Sequence, residues 1–116
     1  MNHQDPNGFY YFENHTSAQT AQPLLAAPAS NGALAGRRIC VTGIIFSAED
    51  AGTIRLVEDP AGTPVNVSQT IYVGATGGIS AAKFDQPIRL TANTALGFTS
   101  TGVTNHSVGV FYFLEP

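Results

Sequence analysis

Tryptophan is absent from this chain, and cysteine and methionine each occur once in 116 residues. The single cysteine, Cys40, cannot form an intrachain disulfide, and its place inside an apolar run makes it a small buried hydrophobe rather than a nucleophile. Charged residues are also scarce, at 11% of the chain with a net charge of −3 and one lysine, Lys83. That is well under the quarter found in an average globular domain. Phosphate recognition needs clustered cations, and Arg37-Arg38 is the only basic pair, so no nucleic-acid partner is expected. No stretch approaches the roughly 18 apolar residues of a membrane span. The first residues lack a basic segment followed by an apolar run, so neither a membrane association nor a secretory signal is expected.

What fills the gap is glycine, alanine, threonine and serine, distributed as strands and turns. The first 36 residues differ from the rest. Asp5-Pro6-Asn7-Gly8 is a turn signature, because proline presets φ and Asn-Gly tolerates positive φ. Phe9, Tyr10, Tyr11 and Phe12 follow as an aromatic block too short to make its own core. Leu24 and Leu25 lie in a segment whose flanking prolines limit any helix to a turn. Residues 1–36 are therefore expected to be an N-terminal arm, with Phe9–Phe12 and Leu24-Leu25 as its partner contacts. Burying the four aromatics would contribute several kcal/mol at about 25 cal/mol per Å².

From residue 37 to residue 116 the pattern is that of one β domain. Arg38–Ser47 reads as the first core strand, with Ile39, Val41 and Ile45 on one face and Gly43 marking a gap or bulge. Thr53–Glu58, Val65–Val73, Ile79–Phe84, Ile88–Ala92 and Ala95–Thr99 read as further strands, separated by turn residues including Asp85-Gln86-Pro87. In the last strand Val108, Val110, Tyr112 and Leu114 share one face, and Gly109, Phe111 and Phe113 share the other. Both faces are apolar, so Phe111 and Phe113 are expected at a subunit interface. Many short strands with turn chemistry at each junction predict an all-β antiparallel sandwich or jelly roll with an extended N-terminal arm.

Chemistry-bearing motifs are few. His3, His15 and His106 share no metal-ligand spacing. There is no Gly-x-Ser-x-Gly elbow, and Gly77-Gly78 lacks the lysine and helix of a phosphate loop. Glu49, Asp50, Glu58, Asp59 and Asp85 fall at or beside turns, where carboxylates cap and solvate. Three Asn-x-Ser/Thr triplets begin at Asn14, Asn66 and Asn105, and they matter only in a secreted eukaryotic protein. No catalytic residue, cofactor or metal is expected.

Arg38-Ile-Cys-Val-Thr-Gly-Ile-Ile-Phe-Ser, Gly52-Thr-Ile-Arg-Leu-Val-Glu-Asp, Pro87-Ile-Arg-Leu-Thr-Ala-Asn-Thr-Ala-Leu-Gly-Phe-Thr-Ser and Val108-Gly-Val-Phe-Tyr-Phe follow one another in order. Together, from about Leu34 to Leu114, they resemble the small jelly-roll structural proteins of tailed bacteriophages. The resemblance implies a virion protein of the capsid decoration (cement) type. It would be a homotrimer on the outer capsid surface that bridges capsomers of the major capsid protein. The alternative is a tail, neck or fibre sandwich that binds host carbohydrate or another virion protein. Neither implies catalysis.

Overall fold

The computed structural model describes residues 9–28, 36–74 and 76–116, and every element among them is a strand. In chain order these are β1 (Phe9–His15), β2 (Gln22–Leu25), β3 (Arg38–Ala48), β4 (Gly52–Glu58), β5 (Val65–Asn66), β6 (Ile71–Val73), β7 (Gly78–Arg89), β8 (Leu96–Thr101) and β9 (His106–Glu115). One sheet has the order β1-β9-β3-β7; the other has β2-β8-β4-β5, with β6 also paired to β4. All pairings are antiparallel. Successive strands alternate between the sheets except for β4, β5 and β6, which follow one another in the second sheet, and the first and last strands lie side by side. This is a jelly roll in which β5 and β6 share one strand position.

The core follows from period-two alternation on the two inner faces. Ile39, Val41, Ile44, Phe46, Val108 and Val110 come from the first sheet, and Leu24, Leu25, Ile54, Leu56, Leu96 and Phe98 from the second. Leu90 and Val103 close the ends. In β9 the inward set is the one read from the sequence, with Val108 and Val110 buried and Tyr112 and Leu114 packed against the core.

Four expectations are corrected. First, the boundary between an arm at 1–36 and a body from 37 does not hold for the described residues. β1 pairs along its whole length with β9, and β2 pairs with β8, so each forms an edge of one sheet. The rest of the expected arm, including the Asp5-Pro6-Asn7-Gly8 turn and His3, lies outside the described residues. Second, Leu24 and Leu25 are not partner contacts. At 5% and 9% exposure they fill the sandwich's own core.

Third, Asp85-Gln86-Pro87 does not end a strand. β7 runs through it, and Phe84, Asp85, Gln86 and Pro87 bulge opposite the single residue Thr42. An edge strand tolerates this proline because the ladder loses no essential donor there. Fourth, the matching irregularity in β3 between Val41 and Gly43 shifts the alternation by one residue. Ile44 and Phe46 therefore point inward, and Ile45 turns to the outer face.

Candidate functional site

The strongest chemical constellation is at the start of β9. His106 is 5% exposed and Ser100 3%. His106 Nδ1 lies 2.7 Å from the Thr104 carbonyl, which can only accept, so Nδ1 carries a hydrogen. In the neutral ring Nε2 then accepts the Ser100 hydroxyl at 3.0 Å. Ser100 Oγ in turn accepts the Gln19 N–H at 2.9 Å, and the Ser100 N–H donates to the Gln19 carbonyl. A serine hydroxyl donating to a histidine is the arrangement of an activated nucleophile. Here both side chains are sealed between the sheets, with Phe46 and Phe98 edge-on to the imidazole. Ser100 has almost no accessible surface, and through Gln19 the pair pins the β1–β2 crossover to β8.

The carboxylates hold turns together. Asp50 accepts from the Thr104 N–H and hydroxyl, Glu49 accepts from the Asn105 amide, and Glu58 accepts from the Thr91 N–H and hydroxyl. No group of three or more metal-ligating side chains converges among the described residues. Cys40 is fully buried, and burial, with Glu115 adding, pushes its thiol pKa up against Arg89 and Arg38. A raised pKa keeps the thiol protonated and unreactive.

The feature that stands out is the outer face of the β1-β9-β3-β7 sheet. Cross-strand register lays its side chains out in rungs. Asn14, Ser107 and Ser47 make a polar row that ends at the exposed, apolar Ile79, and the Ser47 and Ser107 hydroxyls meet at 2.7 Å. Phe12, Gly109, Ile45 and Ala81 make the next. Tyr10, Phe111, Gly43 and Lys83 follow, and then Phe113, Cys40 and Arg89. At the far end Glu115 accepts from Arg89 at 3.0 Å, with Arg38 alongside.

Tyr10 and Phe111 have ring centroids 4.5 Å apart, and Tyr10 and Phe12 6.0 Å. These three form a ridge. Its space is provided by Gly109, where a Cβ would run into the Tyr10 ring. Tyr10, Phe12 and Phe111 are exposed by 44%, 55% and 42%, and Ile79 by 74%. Beside the ridge is an open hollow of about 530 Å³ lined by Thr42, Gly43, Ile45, Ala81, Lys83 and Phe111.

The outer face of the second sheet is different. Thr53, Arg55, Asn66, Thr70, Thr99 and Thr101 line its shallow cleft, where Arg55 donates to Thr70, and Tyr72 is its exposed aromatic. Of the residues singled out in the sequence, Tyr10, Phe12, Phe111 and the half-buried Phe113 thus share one outer face. Phe9 and Tyr11 turn to the inner side of β1. There Phe9 packs on Tyr112, and Tyr11 donates to Glu13, which raises the tyrosine pKa. Ile45, Ala81 and the hollow were not read from the sequence, because the β3 bulge that places them has no signal beyond Gly43.

The sequence matches no family profile and no curated protein. Among solved structures, the fold is similar to the globular domain of zebrafish complement 1qA, with a TM-score of 0.50 and 16% identity, covering 92% of this chain and 96% of that one. It also matches the nucleoplasmin-like N-terminal domain of Drosophila FKBP39, with a TM-score of 0.49 and 9% identity over 97% and 95%. A Tobacco streak virus coat protein matches with a TM-score of 0.41 and 14% identity over 97% and 89%. At these identities the likeness is one of fold.

Proposed function

We propose that this chain is a structural protein of a virion, a jelly roll that assembles as a homotrimer and decorates the outer capsid surface against the major capsid protein. The observation that carries the reading is the contrast between the two outer sheet faces. Soluble monomers rarely leave a contiguous aromatic and aliphatic surface uncovered. Here Tyr10, Phe12, Phe111, Ile45 and Ile79 make such a surface on one sheet, while threonines dominate the other. The ordered sequence resemblance from about Leu34 to Leu114 supports the virion assignment, and the sealed Ser100–His106 pair speaks against hydrolysis. Carbohydrate binding by a tail or fibre module is the weaker reading. The groove lined by Asn14, His15, Glu49, Ile79, Asn105 and Ser107 offers a sugar no tyrosine, phenylalanine or tryptophan ring as a platform.

The test is co-sedimentation with capsids built from the major capsid protein of the same virus. Saturable binding at a fixed ratio to capsomers is expected. Intact capsids that leave the chain in the supernatant would contradict the decoration role.

A further inference from the structure

The outer face of the second sheet carries a cleft built from two rows of side chains that cross β4. In one row Thr99 of β8 stands opposite Arg55, whose guanidinium donates to Thr70 on its other side. In the next row Thr101 stands opposite Thr53, and Thr53 opposite Tyr72. Asn66 completes the lining of a cleft of about 260 Å³. We propose that this cleft binds the carboxylate of a small organic acid, with Arg55 as its counter-ion, a role independent of capsid binding.

Three observations point to that ligand. The first is an unmatched cation. Among the described residues, Arg38 and Arg89 meet Glu115, whereas Arg55 meets no carboxylate. Glu58, the acid of its own strand, is held by Thr91. Four threonines and one asparagine line the cleft with Arg55, and no acid is among them.

The second is an excess of donors. The Thr99 hydroxyl oxygen accepts the Ala21 N–H at 3.0 Å, and the Thr70 oxygen accepts from Arg55. Each hydroxyl then has its hydrogen left to donate, beside the remaining N–H groups of the guanidinium. Water can solvate these donors, but a carboxylate accepts only and fits the planar guanidinium fork. One arginine balances one negative charge. A monoanion therefore suits the cleft better than a phosphate dianion on a chain of net charge −3. The third is Tyr72, 69% exposed in the row beside Arg55. Its ring gives the body of the acid a surface to lie on.

The test is titration of the full isotope-labelled chain with acetate, phenylacetate and inorganic phosphate at constant ionic strength, followed by amide NMR. Saturable shifts centred on Thr53, Arg55, Thr70, Thr99 and Thr101 are expected, with phenylacetate tightest and phosphate weakest. Arg55→Gln should weaken phenylacetate binding about tenfold or more, the cost of a lost charge-assisted hydrogen bond. Arg55→Lys keeps the charge without the fork and should not restore it. Tyr72→Ala, at an exposed position, should remove the advantage of phenylacetate and leave acetate binding unchanged.

No saturable shift with either acid, shifts centred on another face, or phosphate binding as tightly as phenylacetate overturns the site. Undiminished binding by a folded Arg55→Gln chain does the same. If that variant fails to unfold cooperatively, Tyr72→Ala decides, and a retained phenylacetate advantage overturns the proposal.

Discussion

At the scale of single residues, polar satisfaction and burial decide what each side chain does. Ser100 serves two partners at once, the Gln19 N–H and His106 Nε2. Ser100→Ala would leave the buried His106 Nε2 and the half-buried Gln19 N–H unpaired, at a cost of about 1–3 kcal/mol. Urea unfolding should show that loss, and an unchanged midpoint would contradict the structural role given to the pair. Cys40 gives a second check. Its thiol is buried and its pKa raised by that burial first, and by Glu115 next. A disulfide exchange reagent at neutral pH should leave the native chain unlabelled and label it fully in denaturant. Rapid native labelling would mean that the outer face near Phe113 opens. The burial of Cys40 was read from its apolar run, but the role of Ser100 was not legible: it is one of several serines, and only the fold brings Gln19 to it across 81 residues of chain.

At the scale of elements, β1 and β2 carry the sharpest consequence of the structure. If they were a detachable arm, removing them would leave a folded body. Here β1 covers one side of β9 and β2 supplies Leu24 and Leu25 to the core. Leu24→Ala should therefore destabilise the chain by about 2–5 kcal/mol, as for a buried leucine elsewhere. A chain lacking residues 1–28 should fail to unfold cooperatively in a thermal melt, and a sharp transition near the wild-type one would restore the arm. The central strands were legible because their alternation is clean and β-branched, as in Arg38–Ser47 and Val108–Leu114. β2 was not, because Pro23 and Pro28 read as linker, although an edge strand admits proline. Asp85-Gln86-Pro87 misled for a related reason: the same residues that stop a strand also build a bulge. The candidate face was half legible. Phe111 showed in the alternation, whereas Ile45 reached the face only through the β3 bulge.

At the scale of the whole molecule, the two sheets face different surroundings. A threonine-rich face needs only water; a face with Phe12 at 55% and Ile79 at 74% exposure favours burial against another surface. Phe111→Asp would place a charge at the centre of that surface without disturbing the inward side of β9, and it should release monomers while leaving unfolding cooperative. On the proposed reading, other copies of the chain cover this face. Its most direct test is the absolute mass of the wild-type protein by light scattering over a dilution series at moderate salt. A mass three times the 12.1 kDa of the chain is predicted, falling only at high dilution. A mass of 12.1 kDa at every concentration would contradict it.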